Sequence, residues 1–202
     1  MAFIRTPGGK GAALPILEQR HSPWEIWVAN VATGDSSQRW KSPETLAGSI
    51  PTVDGGFNFH WAADNQLIYL SYEDGWPDLY AMDATSGESR LLTPGEFHVE
   101  HVRLSPDRKI LLFSANASDE PEDIDRRHIG EVVIVDGELT WRTSGRGIET
   151  YPVFVGEEKT IAYLSATAKR PPLAEVQFDG GNTKLLAKDF IPSDFPQEQL
   201  IT

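Results

Sequence analysis

The sequence predicts an all-β fold, a partial β-propeller of four-stranded antiparallel blades with about four blades present. The first observation is a short apolar run that recurs four times and ends at Arg5, Ser71, Ser114 and Ser165. Its uneven spacing of roughly 50 residues is typical of a repeated structural unit. Secondly, turn-forming residues separate short apolar segments along the whole chain. Thirdly, no segment sustains the periodicity of an α-helix.

The clearest copy of the repeat lies within residues 57–95 and predicts one complete blade. Its four predicted strands are residues 57–61, 66–72, 78–83 and 88–93. The turns between these strands contain Asp-Asn, Gly-Trp-Pro and Ser-Gly sequences, which favour reversal of the chain. Together the segments predict an antiparallel meander.

The other copies follow the same plan. The segment 25–34 (EIWVANVATG) matches 78–87 (DLYAMDATSG) position by position, so we interpret it as a third strand and turn that follow a second strand at 2–5. In the third copy the predicted strands include 109–114, 131–135 and 138–143. In the fourth copy they are 151–155, 160–165, 173–178 and 183–186.

The second strands favour a propeller over other all-β folds. Residues 67–70 and 110–113 are apolar at every position, so both faces of these strands need cover. A blade packed between two neighbouring blades has that cover. A β-sandwich is the alternative, but its strands need no unit repeat.

We expect residues 1–188 to form the partial propeller, with blades at roughly 1–48, 49–96, 97–147 and 148–188, and residues 189–202 to form an exit segment. No strand precedes Ala2, so the chain is expected to begin within a blade and to belong to a longer protein. Four blades could close into a ring, but an open ring would expose sheet edges. A fragment of a propeller with about seven or eight blades is the more economical interpretation.

Composition excludes several classes of partner and site. The net charge of −12 and the pI near 4.8 argue against nucleic-acid binding, which depends on clustered Lys and Arg. The absence of cysteine excludes disulfides and thiolate metal sites but leaves the compartment open. No apolar run is long enough to predict a membrane span, and residues 1–9 lack the long apolar stretch that is typical of a signal peptide.

Three segments carry a family resemblance: 104–110 with its Ser-Pro-Asp turn, 78–93, and 123–128 (DIDRRH). They resemble the N-terminal β-propeller of bacterial prolyl oligopeptidase family serine peptidases, in the dipeptidyl peptidase IV-like branch. The tail at 189–202 is similar to the exit segment that leads from that propeller to the hydrolase domain. Periplasmic propellers of the Tol system share the Ser-Pro-Asp turn, so this turn alone does not separate the two groups.

The resemblance implies a serine peptidase whose Ser-Asp-His triad lies in a C-terminal α/β-hydrolase domain, with the propeller shielding it. Family habit favours the periplasm over the cytoplasm. No catalytic residue is expected in this chain, because neither Ser36 nor Ser89 stands in the Gly-x-Ser-x-Gly sequence of a nucleophile elbow. Glu157 and Glu158 lie in a predicted turn and do not resemble the glutamates that hold a substrate amino terminus, so exopeptidase specificity is not supported.

The connections between second and third strands are expected to share one face of the propeller. They are residues 6–23, 73–77, 115–128 and 166–172. Because two of them are the longest insertions of the chain, this face is where we expect binding residues.

The candidate contacts to a substrate or to the hydrolase domain are five residues of this face: Asp125, Arg126, Arg127, His128 and Trp76. Either arginine could hold a substrate carboxylate or carbonyl through its guanidinium fork. The alternative is a loop held by local Asp–Arg pairs, with His128 opening the next strand. Trp76 could stack on a substrate ring or on a partner surface, and the alternative is that it packs between blades.

No metal or other cofactor is expected. His98 and His101 would point to opposite faces of an extended strand, and no cysteine or third histidine nearby completes a site. The acidic residues Asp64, Asp107 and Asp136 lie at predicted strand junctions, where aspartate favours turn geometry.

Two hypotheses for function follow. The first is the non-catalytic, substrate-gating propeller of a serine peptidase that hydrolyses short peptides. The second is a non-enzymatic propeller of the Tol type that acts as a protein-interaction scaffold. A sugar-active propeller enzyme lacks support, since no pair of carboxylates stands apart from the turn residues.

Overall fold

The computed structural model describes residues 1–7, 17–56, 59–118, 120, 123–156 and 159–200. In this part of the chain, fifteen strands form four antiparallel sheets, accompanied by three short 3₁₀ turns. The predicted all-β class is therefore confirmed. None of the described helices is long or apolar enough to cross a membrane.

Each sheet keeps its strands in chain order, as a meander requires. The first sheet contains β1 (Ala2–Arg5), β2 (Glu25–Ala29) and β3 (Ser36–Lys41). The second contains β4 (His60–Trp61), β5 (Gln66–Ser71), β6 (Asp78–Asp83) and β7 (Ser89–Leu91). The third contains β8 (Val99–Leu104), β9 (Ile110–Ala115), β10 (His128–Val133) and β11 (Leu139–Trp141). The fourth contains β12 (Ile148–Phe154), β13 (Ile161–Thr167), β14 (Arg170–Gln177) and β15 (Thr183–Leu185). The 3₁₀ turns are Leu46–Gly48, Lys188–Phe190 and Gln197–Gln199.

The chain divides into two compact units. The first unit consists of Met1–Val53 and Phe57–Gly95 and holds the first two sheets. The second consists of Asp54–Gly56 and Glu96–Thr202 and holds the third and fourth sheets.

An aromatic cluster forms the core of the first unit. Tyr69 of β5 lies at its centre, with ring centroids 5.9 Å from Trp24, 5.3 Å from Trp40 and 5.5 Å from Tyr80. The apolar residues of β5 are fully buried on both faces of the strand, as the sequence predicts for a second strand. Large aromatic side chains bury the most apolar area per residue, so they dominate the stability of this core.

In the second unit, strand β9 is likewise buried on both faces. Leu112 of this strand belongs to a buried cluster with Ile129, Ile161 and Tyr163. Phe113, next in sequence, faces the other side of the sheet, where Trp141 meets its ring edge-on at 5.8 Å. Both faces of β9 are therefore covered by other residues. The apolar residues at every position of 110–113 predicted this cover, and it is what a propeller blade provides.

Several bounds of the predicted strands differ from those in the structure. The third strand of the third sheet begins at His128, not at residue 131. The predicted loop 166–172 is a tight turn at Ala168 and Lys169, because β13 and β14 extend through most of it. In the second sheet the described part of the first strand is only His60–Trp61, and residues 57–58 of the predicted strand lie outside the described residues.

Candidate functional site

The insertion between β9 and β10 ends in a turn that its own side chains hold in place. Asp123 accepts hydrogen bonds from Nε and Nη2 of Arg126, with lengths of 2.9 and 2.6 Å. The Nη1 group of Arg126 donates to the backbone carbonyls of Arg146 and Gly147. Arg126 thus joins the insertion to the connection between β11 and β12, and Asp125 is exposed on the turn.

Arg127 forms a second attachment, directed to strand β8. Its Nε lies 3.1 Å from Oε2 of Glu100 and its Nη2 lies 3.3 Å from Oε1, so the guanidinium and the carboxylate meet through two parallel hydrogen bonds. Its Nη1 donates to the carbonyl of Ile124 at 2.9 Å. Such a two-point pair fixes orientation as well as position.

His128 forms the third attachment, directed to strand β12. Its Nδ1 lies 2.8 Å from Oε2 of Glu149, and both residues are buried. Gly147 makes room for this pair, since a Cβ at that position would overlap the Glu149 carboxylate. The amide of Glu149 also donates to the carbonyl of Arg127 at 2.8 Å.

The two glutamates occupy equivalent positions in neighbouring sheets. Glu100 lies opposite Ser114 in the third sheet, and Glu149 lies opposite Ser165 in the fourth. Both are in the first strand and both are buried. Arg127, the last residue of the insertion, and His128, the first residue of β10, are therefore held by the same position of two successive sheets. This convergence was not predicted, because Glu100 and Glu149 lie at different distances in sequence from the repeated serines Ser114 and Ser165.

A third carboxylate and two histidines lie close to Glu100. Ligand atoms of Asp54, Glu100 and His101 lie within 4.8 Å of one another, and Nε2 of His98 lies 4.0 Å from Oε1 of Glu100. Burial lowers the pKa of both His98 and His101, and the negative charge of Glu100 opposes that shift. These imidazoles therefore favour the neutral form.

Strand β8 does not keep the regular alternation of side chains between the two faces of a sheet. That alternation was the reason for predicting that His98 and His101 point to opposite faces. The pairing register of this strand shifts between Glu100 and Arg103, and His101 has a φ of 52°. A bulge of this kind re-aims the side chains that follow it. The reason given from the sequence for separating the two histidines therefore does not apply.

A cleft of about 610 Å³ lies beside the insertion. Its lining includes Arg126, Arg146 and Lys169 as well as Asp123 and Glu120. The insertion and the tight turn after β13 thus border one cleft, as predicted for two connections of the same face. Residues 8–16 of the 6–23 connection lie outside the described residues, as do Glu157 and Glu158.

The predicted contact residues fall into two groups. Asp125, Arg126, Arg127 and His128 are brought together in the second unit, whereas Trp76 lies on a turn of the first unit with its side chain about one third exposed. Both arginines already bind acidic side chains and carbonyls of the protein. The Asp123–Arg126 contact is the local pairing that the sequence left open as the alternative to substrate binding, whereas Arg127 pairs with Glu100 of strand β8.

Comparison with known proteins agrees with this architecture. The family model described as the dipeptidyl peptidase IV (DPP IV) N-terminal region matches residues 25–172. No curated protein sequence matches this chain. Among solved structures, dipeptidyl peptidase 4 of Porphyromonas gingivalis has a TM-score of 0.62 at 13% identity, over 84% of this chain and 23% of that protein.

Two further solved structures are similar to this chain. A puromycin-hydrolyzing peptidase of Mycobacterium tuberculosis has a TM-score of 0.58 at 14% identity, over 81% of this chain and 24% of that protein. TolB of Acinetobacter baumannii has a TM-score of 0.51 at 13% identity, over 83% of this chain and 40% of that protein. At these identities the likeness shows the fold alone, and the chain spans about a quarter of the length of the two peptidases. The predicted β-propeller class is thereby confirmed. Since the family model matches well over half of the residues, the chain belongs to the family of dipeptidyl peptidase IV N-terminal regions.

Proposed function

We propose that this chain is the non-catalytic propeller of a serine peptidase that hydrolyses short peptides, and that an α/β-hydrolase domain of the same polypeptide carries the catalytic triad. The observation that carries the proposal is the family match across residues 25–172. This chain covers 23% and 24% of the two peptidase structures. A protein of their length that contains this chain would therefore have room for a further domain.

In this proposal the cleft beside the insertion faces the substrate or the hydrolase domain. The proposed contact residues are Arg126, which lines the cleft, and the exposed Asp125 that precedes it in sequence, and the mixed charge of the cleft suits the ends and carbonyls of a short peptide. Arg127 and His128 act as positioning residues, because Glu100 and Glu149 bind their side chains in the interior. Trp76 is proposed as a contact on the first unit, where its partly exposed ring is available for stacking.

A second candidate function is a protein-interaction scaffold of the TolB type. The structural likeness to TolB of Acinetobacter baumannii supports it. The nucleotide sequence downstream of Thr202 separates the candidates. A Gly-x-Ser-x-Gly elbow in a following hydrolase domain favours the peptidase, and a stop codon favours the scaffold.

The test of the peptidase proposal compares this chain alone with the chain extended through its downstream reading frame. Both are assayed on short chromogenic peptides, with and without a serine-directed inhibitor. We expect hydrolysis only by the extended protein, and we expect the inhibitor to abolish it. Inhibitor-sensitive hydrolysis by the 202-residue chain would overturn the assignment of the chemistry to another domain.

A further inference from the structure

We propose that Asp54, His98, Glu100 and His101 bind a divalent transition-metal ion such as Zn²⁺, a site separate from the cleft and independent of the peptidase proposal. All four residues belong to the second unit. They provide two imidazoles and two carboxylates, a donor set that suits Zn²⁺ and related first-row ions. Ca²⁺ and Mg²⁺ bind through oxygen ligands and fit this set poorly.

The first argument is the distance between the donor atoms. Ligand atoms of Asp54, Glu100 and His101 lie within 4.8 Å of one another. In a tetrahedral zinc site with bond lengths of about 2.0–2.2 Å, two ligand atoms lie roughly 3.3–3.6 Å apart. Small side-chain rotations therefore bring these three donors onto one ion, and Asp54 is exposed and free to make them.

The second argument is a buried imidazole without a hydrogen-bond partner. His101 is only 4% exposed, and its Nδ1 has no partner in the structure. A Cβ built on Gly55 would lie 2.9 Å from this nitrogen, so Nδ1 faces the short loop that carries Asp54. An unpartnered polar atom in the interior is costly, and a bound ion removes that cost.

A third argument comes from His98, whose Nε2 is also buried without a partner. This nitrogen lies 4.0 Å from Oε1 of Glu100, too far for a hydrogen bond but close enough to share an ion with that oxygen. Two imidazole nitrogens that lack partners thus flank one carboxylate.

Local charge and geometry are compatible with a bound cation. Arg127 binds both carboxylate oxygens of Glu100 and so orients that group, as an outer partner of a metal ligand does. Around His101, the two carboxylates of Asp54 and Glu100 face the positive charges of Arg103 and Arg127. The positive φ of His101 and the hydrogen bond from its amide to the Asp54 carbonyl keep the loop against strand β8. The ion would tie this loop to the strand.

The test is isothermal titration of ZnCl₂ into the 202-residue chain, freed of any affinity tag and of metal. We expect saturable binding of one ion per chain, and an increase in melting temperature on binding. Asp54→Asn and His98→Ala, both at partly accessible side chains, should each weaken binding by about tenfold or more, because each removes one ligand. Asp35→Asn and His21→Ala in the first unit are the matched controls and should leave the affinity unchanged.

Substitution with Co²⁺ adds a spectroscopic measurement. A site with nitrogen and oxygen ligands of low coordination number gives a visible absorption band, and His101→Gln should change that band even where the ion is retained. Absence of saturable Zn²⁺ binding would overturn the proposal. Equal affinity in the wild type and in Asp54→Asn and His98→Ala would also overturn it.

Discussion

The imidazole of His128 and the carboxylate of Glu149 meet at 2.8 Å in the interior of the second unit. The two residues come from the third and fourth sheets, so one buried hydrogen bond ties the end of an insertion to the first strand of the next sheet. Glu100 does the same for the preceding residue, Arg127. The insertion is therefore held by two buried glutamates.

Removal of the glutamate should show how much this attachment contributes. Glu149→Ala leaves the buried Nδ1 of His128 without its partner, so we expect a loss of about 1–3 kcal/mol in the free energy of unfolding. Glu149→Gln keeps an oxygen that can accept from Nδ1 and should lose less. Urea denaturation of the 202-residue chain measures both. Glu138→Ala, on an exposed turn, is the control. An equal loss in the Ala and Gln variants would contradict a role for the hydrogen bond.

Asp78 should make the stability of the first unit depend on pH. Burial raises the pKa of its carboxyl from 3.8 to about 8, although Thr93 donates a hydrogen bond of 2.7 Å to Oδ1. Because the folded pKa is the higher one, the folded state binds more protons in this range, and the free energy of unfolding falls as pH rises from about 4 to 8.

The variant Asp78→Asn tests this dependence, since the amide oxygen still accepts from Thr93 and the group no longer ionises. We expect the variant to be more stable than the wild type at pH 8 and to lose less stability between pH 5 and 8. Melting temperatures across that range are the measurement. Asp136→Asn, at an exposed turn, provides the comparison. Parallel curves for the wild type and Asp78→Asn would show that Asp78 does not titrate there.

We expect any side chain at position 130 to destabilise the protein, because one neighbouring residue occupies the space. A Cβ at this position would overlap the ring of Phe113, which lies opposite it in strand β9. Gly130→Ala should therefore cost about 1–3 kcal/mol of stability through overpacking. In a Phe113→Leu background the same change should cost less, since the smaller side chain leaves room. A double-mutant cycle by urea denaturation measures this coupling, and additive effects would argue against the steric explanation.

Arg142 should be a strong link between the third and fourth sheets. Its Nε donates to the side-chain oxygen of Gln177 at 3.0 Å, its Nη1 binds Glu131, and its Nη2 donates to the carbonyl of Lys159 at 3.1 Å. Arg142→Met keeps much of the apolar length but loses these bonds, so we expect a loss of about 2–4 kcal/mol in the free energy of unfolding.

The matched control for this link is Lys184→Met, at an exposed position of β15. It removes one positive charge without removing an internal contact and should change stability by less than about 0.5 kcal/mol. Chemical denaturation of both variants is the measurement. Similar losses in the two variants would indicate a general effect of charge instead of the Arg142 contacts.

The second strands of the sheets are predictable from the sequence, because a strand that is buried on both faces needs apolar side chains at nearly every position. Strand β6 has the predicted bounds, β5 ends one residue earlier than predicted, and β9 is shifted by one residue at both ends. The start of β10 was missed because its sequence gives no apolar run. His128 is polar, and glycine is a poor strand former. Glycine is nevertheless needed at position 130, because a Cβ there would overlap the ring of Phe113.

The candidate site was predictable only in part. The sequence identified the segment at 123–128 as distinctive, and the structure places 123–127 at the end of the insertion and His128 at the start of β10. It did not reveal that Glu100 and Glu149 converge on neighbouring residues. That convergence depends on the pairing register of two first strands and on the packing of two sheets within one unit.

The sequence by itself determined the repeat, the all-β class and the family resemblance, because strand periodicity, turn residues and apolar runs are local properties of the chain. Only the tertiary structure decided which polar residues meet. The bulge at His101 overrides the alternation that a regular strand would impose, and it brings His101 beside Asp54, far away in the sequence. Such contacts depend on small departures from ideal strands, which residue patterns do not encode.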